Sequence, residues 1–272
     1  MSGDEDPAED VQYHLKLREG EVAPTVLLPG DPDRVDVITG LWDAAEAVSS
    51  NREYRTATGS VHDTPISVTS TGIGSPSAAI AVEELARVGA DTFIRVGSCG
   101  AIQPEMSLGD LVITTGVVRQ EGTTHEYVRE DYPAVADDRV VGALVAAAER
   151  LGYDYHVGLT MSTDAFYAGQ AREGFGGYEA PGTDALLEQL RTANVKNIEM
   201  EASAVLTLAT LYGLRAGAVC SVFADRNTGE FRTEGESRAA ETASLAASLL
   251  ADMDEQVAEA GADRWHPGLG PV

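Results

Sequence analysis

Short apolar runs alternate with stretches of helical spacing along most of this chain. Residues 25–28, 65–69 ("PISVT"), 92–96 ("TFIRV"), 110–118, 156–163 and 216–224 read as strands, bounded by Gly, Pro or acidic positions. Between them, residues 75–89 ("SPSAAIAVEELARVG") read as a helix. Serine stands at its cap, proline in its first turn and Gly89 at its end. Helical spacing recurs over 138–151 and 200–212, and 236–259 reads as a long closing helix. Strands in alternation with helices predict an α/β sheet covered on both faces.

In such sheets ligands collect beyond the carboxyl ends of the strands. Three glycine-rich segments follow predicted strands: Pro29-Gly30, Gly72-Ile73-Gly74 and Gly97-Ser98-Cys99-Gly100. All three are expected to be turns. Residues 1–10 read as a loose acidic arm and 257–272 as a flexible tail rich in Gly and Pro, which leaves 11–256 as one domain.

Charge narrows the partners. Against 44 acids stand 19 bases, a formal net charge of -25, and Lys16 and Lys196 are the only lysines. The apolar fraction of 43% is too high for disorder, so the acidity is expected on a folded surface adapted to a salt-filled cytoplasm. Nucleic-acid binding needs a basic footprint and is not expected. No apolar run reaches the roughly 20 residues that cross a bilayer, and residues 1–10 lack the basic and apolar regions of a secretory signal. The two cysteines, Cys99 and Cys220, make neither a disulfide framework nor a metal cluster.

Candidate chemistry lies at the glycine-rich segments. Turn amides form anion sites, and an arginine adds a bidentate clamp. Gly30 is followed by Arg34, and Gly97-Ser98 by position sits beside Arg95. Arg95 is unusual because it stands inside an apolar strand, where a charge needs an anionic partner. That partner is expected to be a ligand, with an internal carboxylate as the alternative. No G-x-G-x-x-G or G-x-x-x-x-G-K-[ST] pattern is present, so neither a dinucleotide nor a nucleoside triphosphate is indicated. In "NIEMEASAVL", Glu199 and Glu201 flank Met200 at a helix start. They either complement the helix dipole or accept the hydroxyls of a sugar diol. In "STDAFYAGQAREGFGGYEAPG" (162–182), Phe166, Tyr167, Phe175 and Tyr178 accompany Gln170 and Arg172. This segment is either a plain surface loop or a mobile lid that stacks on a planar ligand and reads its edge.

Six segments in order carry a resemblance: "GDPDRV", "NREY", "STGIGSPSAAIAVEELARVGADTFIRVGSCGAIQPEMSLGDLVIT", "STDAFYAGQAR", "NIEMEASAVLTL" and "GLRAGAVCSVFADRN". Over roughly residues 11–250 the chain resembles the hexameric nucleoside phosphorylase family, in its uridine-cleaving branch. The resemblance implies a single-domain three-layer α/β/α fold with a central mixed, barrel-like sheet. It implies reversible phosphorolysis of uridine by orthophosphate to uracil and ribose 1-phosphate, with no organic cofactor. It implies phosphate at Gly30, Arg34, Arg95 and Ser98, and Arg52 lent to the phosphate of a neighbouring subunit. Ribose falls to Glu199, Met200, Glu201 and, across the subunit contact, His14. The base falls to Phe166, Gln170, Arg172, Phe223, Asp225 and Arg226. Arg172 and Arg226 would stabilise the leaving base and, with Arg95, make the catalytic set. Glu53, Ile73 and Ser77 match a potassium site at a dimer interface. The shared sites imply a homo-oligomer, a hexamer made as a trimer of dimers.

One segment departs from the pattern. Phe223-Ala224-Asp225-Arg226 replaces a small aliphatic pair and asparagine. Purine-specific members carry an acid near this point, and Asp225 stands one residue away from it. One residue along a strand changes the face. A guanosine or inosine phosphorylase is therefore the alternative. More distant alternatives are a nucleoside hydrolase of the same fold, which Arg34, Arg52 and Arg95 argue against, and a non-catalytic nucleoside-binding module.

Overall fold

Ten strands form one sheet in the computed structural model, which describes residues 10–233 and 235–270. The first half supplies β1 (Thr25–Pro29), α1 (Arg34–Thr39), β2 (Ala44–Asn51), β3 (Tyr54–Val61), β4 (Thr64–Thr69), α2 (Ser75–Arg87) and β5 (Thr92–Ala101). Then come β6 (Leu111–Gln120), α3 (Thr123–Tyr127), β7 (Ala134–Val135), α4 (Asp138–Leu151) and β8 (Tyr155–Thr163). The chain closes with α5 (Thr183–Thr192), β9 (Val195–Glu199), α6 (Ala202–Leu211), β10 (Arg215–Asp225) and α7 (Glu236–Ala260).

The strand order is β10-β6-β8-β9-β5-β1-β4-β3-β2, and β10 also pairs with β5. That extra pairing closes β10, β6, β8, β9 and β5 into a barrel. The strands β1, β4, β3 and β2 extend from it. Parallel pairs (β1 with β4 and β5, β5 with β10, β6 with β8, β8 with β9) mix with antiparallel ones. Helices cover both faces. Val35, Ile38, Leu144, Ala147, Ala243 and Leu250, from α1, α4 and α7, pack into one core cluster. Ala78, Val82, Leu85, Val205 and Leu208, from α2 and α6, pack into another. This is the three-layer α/β fold with a barrel-like mixed sheet.

Helix α4 starts and ends where its spacing predicts: Asp137 accepts from the amides of Arg139 and Val140, and Gly152 closes it in the left-handed region. Elsewhere the structure corrects the sequence reading. The segment Gly97–Gly100 is not a turn. It continues β5 along β10, with Gly97 opposite Cys220, Ser98 opposite Ser221 and Cys99 opposite Val222. Its glycines answer a need for close approach. A Cβ on Gly97 would lie 2.8 Å from Cys220 Sγ and 2.9 Å from an Arg95 nitrogen, and one on Gly100 would lie 3.1 Å from Arg226 Cδ.

Helix α2 is capped by Gly74 at φ 97°, not by Ser75. The Ser75 hydroxyl instead donates to the Met200 carbonyl at 3.1 Å. Helix α6 begins at Ala202, two residues later than its spacing predicts. The hairpin β2–β3 and strand β9 have too few large apolar residues to be read as strands from the sequence. After α7 the chain turns back, and Trp265 packs against the α1–α4–α7 side with Nε1 donating to Gln256 at 2.8 Å. The first nine residues of the expected acidic arm, and residues 271–272 of the expected tail, lie outside the described residues.

Candidate active site

The carboxyl ends of β1, β4, β5, β9 and β10 converge on a cavity of about 780 Å³. Gly30, Asp31, Pro32 and Arg34 reach it from the β1–α1 turn, and Gly72 and Ile73 from the β4–α2 turn. Strand β5 contributes Arg95, Ser98, Cys99 and Gly100. The β9–α6 junction contributes Ile198, Glu199, Met200 and Glu201. Phe166, Gln170 and Arg172 come from the loop after β8, and Phe223, Ala224, Phe231 and Thr233 from β10 and the loop beyond it.

One end of the cavity is ionic. Arg95 is 4% exposed, and its partner is internal after all. Its Nε donates to Glu199 Oε2 at 2.8 Å, and Nη2 forms an ion pair with Glu201. The register explains this: β9 pairs with β5 and brings the two acids beside a strand that cannot leave a charge uncompensated. Burial alone would favour loss of the Arg95 proton. The charges of Glu201 and Glu199 outweigh it and hold the pKa above the ordinary arginine value. Yet the compensation is incomplete in geometry. Nη1 of Arg95 is buried and has no hydrogen-bond partner among the described residues. Arg34, also on the cavity, donates from Nε to Glu236 Oε1 at 2.5 Å, with its guanidinium 5.5 Å from the Phe223 ring centre.

The two acids differ in what they have left to offer. Glu199 Oε2 accepts from Arg95 and from the amides of Glu201 at 2.8 Å and Ala202 at 2.9 Å, and Oε1 accepts from the Ser162 hydroxyl. These bonds satisfy two amides at the start of α6, those of Glu201 and Ala202. Glu201 Oε1 accepts from the Gly74 amide at 2.6 Å, which ties α2 to the cavity wall. Burial, reinforced by the Glu199 charge, holds the Glu201 carboxyl above the ordinary carboxylate range despite Arg95.

The other end is aromatic and amide-lined. The Arg172 guanidinium lies 4.5 Å from the Phe166 ring centre, and Arg172 Nε reaches Gln170 Oε1 at 3.4 Å. No carboxylate pairs with Arg172 among the described residues, and burial lowers its pKa. Gln170 is buried, whereas Phe166 and Tyr167 are exposed. Phe223 and Phe231 meet edge to face, with centroids 6.5 Å apart.

Several expected site residues do not line this cavity. Arg226 lies behind it. Its Nη2 donates to the carbonyls of Gln170 at 2.8 Å and Ala171 at 3.0 Å, so it holds the 168–172 backbone. Asp225 points into its own turn, where it accepts from the amide and side chain of Asn227 and the amide and hydroxyl of Thr228. Burial would raise its pKa, but those bonds win and lower it. Arg52 sits at the tip of the β2–β3 hairpin with φ 55°. His14 gives Nδ1 to Glu84 Oε1 at 2.6 Å. Ser77 donates to the carbonyls of Ile73 at 3.3 Å and Gly74 at 3.1 Å, and Glu53 packs over Gly72, where a Cβ would lie 2.8 Å from its Cγ. No group of three or more His, Cys, Asp or Glu is placed to hold a metal among the described residues. No helix is long and apolar enough to cross a membrane among the described residues.

Phe231 and Thr233 also line the cavity, and no motif in the sequence points to them. The signal available was slight: a single aromatic within the polar run "NTGEFRTEG". Cys99 and Gly100, in a segment whose composition predicts a turn, line the cavity from strand β5.

Comparison with known proteins gives this arrangement a context. Residues 24–255 match the model of the phosphorylase superfamily. The chain is 57% identical to a uridine phosphorylase of Thermococcus kodakarensis over 96% of this chain and 94% of that protein. It is 46% identical to a guanosine phosphorylase of Halorubrum lacusprofundi (78% and 82%), and 40% identical to a uridine phosphorylase of Haemophilus influenzae (88% and 96%). The match spans every strand that meets the cavity, and the chain belongs to the phosphorylase superfamily.

Proposed function

We propose that the chain is a uridine phosphorylase that cleaves uridine with orthophosphate to uracil and ribose 1-phosphate. The observation that carries this is Arg95, a buried cation that lines the cavity and keeps one nitrogen, Nη1, without a partner among the described residues, while the far end of the cavity pairs Gln170 with Arg172. An anion at one end and a base with several carbonyls at the other satisfy both.

In this reading phosphate lies among the Gly30 turn, Arg34, Arg95 and Ser98. Glu201 and the Met200 segment hold ribose between phosphate and base. Phe166 stacks on the nucleoside, and Gln170 and Arg172 bind the uracil edge. As the C1′–N1 bond lengthens, ribose gains oxocarbenium character, and a phosphate oxygen attacks C1′ from the opposite side. The base leaves as an anion, which Arg172 stabilises. Arg34 and Arg95 align the attacking oxygen. Arg226 acts through the loop backbone it grips.

Arg52 and His14 are proposed to serve the neighbouring copy, in a hexamer built as a trimer of dimers. Glu53, the Ile73 carbonyl and Ser77 are proposed as oxygen ligands for potassium where copies meet. The acidic surface suits a salt-rich cytoplasm.

A guanosine preference is the second reading, because one relative is named for it and Asp225 is acidic. The engagement of Asp225 in its turn favours uridine. The test is release of free base from uridine, guanosine, inosine and adenosine in molar potassium chloride, with and without phosphate. Fastest cleavage of uridine, dependent on phosphate, is expected. Fastest cleavage of guanosine would move the base assignment, and cleavage without phosphate would remove the phosphate site.

A further inference from the structure

We propose that Ser162 and Glu199 are positioning residues for Arg95, and that Glu199 does not bind ribose. The proposal rests on the reading of Arg95 as a phosphate ligand. Glu199 is 3% exposed and surrounded by donors of the protein itself. Three converge on Oε2: Arg95 Nε, and the amides of Glu201 and Ala202. Among the described residues the single protein donor on Oε1 is the Ser162 hydroxyl. A carboxylate so occupied has little left to accept the two hydroxyls of a sugar. Glu201 takes the Gly74 amide on Oε1 and the Arg95 ion pair on Oε2, and so keeps more acceptor capacity than Glu199.

Ser162 is itself completely buried and has its orientation decided. Its oxygen accepts the Ser203 amide at 2.9 Å, so its hydrogen is committed to Glu199. The hydroxyl therefore joins the end of β8, the end of β9 and the start of α6 at one point. Through Glu199 it also fixes the Nε edge of the Arg95 guanidinium. A guanidinium is planar, so holding Nε and Nη2 determines where Nη1 points. Nη1 is the nitrogen left without a partner among the described residues. A fixed, desolvated donor binds an anion better than one that must be ordered on binding.

The test compares Ser162→Ala with Ser203→Ala. The Ser203 hydroxyl donates to Glu121 at 2.7 Å, in the same buried cluster but away from Glu199. Ser203→Ala keeps the amide that Ser162 needs. Expected for Ser162→Ala is a rise of about tenfold in KM for phosphate, equivalent to ~1.4 kcal/mol. KM for uridine and the preference for uridine over 2′-deoxyuridine should stay within about twofold of wild type, well below the tenfold of a lost hydrogen bond. Ser203→Ala should lower the melting temperature and leave KM for phosphate unchanged.

If Ser162→Ala is too unstable to assay, Ser162→Cys, a weak donor of similar size, gives the same reading. An unchanged phosphate KM in a wild-type background that does require phosphate overturns the proposal. So does an equal rise in phosphate and uridine KM in both variants, which would mean general loosening. A change in discrimination against 2′-deoxyuridine returns Glu199 to the ribose. Wild-type cleavage that ignores phosphate overturns the phosphate reading, and the proposal with it.

Discussion

The two ends of the cavity are made in different ways. At the ionic end, Arg95, Glu199 and Glu201 are buried on or beside strands of the barrel, and their bonds run between elements far apart in the chain. At the aromatic end, Phe166, Tyr167 and Arg172 sit on a loop with one short 3₁₀ turn, Ala168–Gln170, and the aromatics face solvent. Arg226 ties that loop to β10 by two carbonyl bonds. The contrast has a physical sense. A small, strongly hydrated anion is captured by charges whose own solvation has already been replaced. A planar base offers area, and a loop can close over it.

This difference yields graded predictions. The largest effect is expected from Arg95→Leu. It leaves Glu199 and Glu201 buried without a counter-ion, so activity should vanish and stability fall by about 3–5 kcal/mol in denaturant unfolding. A variant that loses activity with unchanged stability would show that the ionic end is not part of the folded core. Next is Arg172→Ala, with kcat lower by about 10²-fold, stability nearly unchanged and phosphate KM unaffected. A large loss of stability there would erase the distinction between the ends.

A smaller effect concerns pH. Glu201 has a folded pKa above the ordinary carboxylate value of about 4.3. Between those two pKa values the folded protein holds a proton that the unfolded chain has released, so stability falls as pH rises through the window. Glu201→Gln removes that titration. Its melting temperature relative to wild type should climb as pH rises from about 4. A constant difference would mean that Glu201 does not titrate there. The smallest effect is expected from Asp225→Asn. It disturbs a turn outside the cavity, so the ratio of uridine to guanosine cleavage should not move. A shift toward either base would bring Asp225 into the site.

The ends also differ in how much could be read without a structure. Arg34, Arg95, Ser98, Glu199 and Glu201 lie in local patterns that mark them, because a charge inside an apolar strand or acids at a helix start are visible in one dimension. Gln170 and Arg172 were visible as polar residues in an aromatic loop. Phe231 and Thr233 were not, since no local pattern separates a cavity residue from any other in a polar loop. Glycines 97 and 100 are visible in the sequence but ambiguous: the same residue type serves a turn and a close approach, and only the neighbouring strand β10 tells them apart.

The amino-acid sequence by itself determined the alternation of strands and helices, the acidic surface, and the residues with chemistry to offer, because these follow from spacing and side-chain type. Only the tertiary structure decided what those residues do to one another. Closure of β5 on β10 straightened an expected turn into strand. The pairing of β9 with β5 delivered two carboxylates to Arg95 and left one nitrogen without a partner among the described residues. The turn at Asn227 and Thr228 took the carboxylate of Asp225. Each outcome depends on a partner distant in sequence or on a backbone direction, and hydrogen bonds and burial are properties of such pairs rather than of single residues.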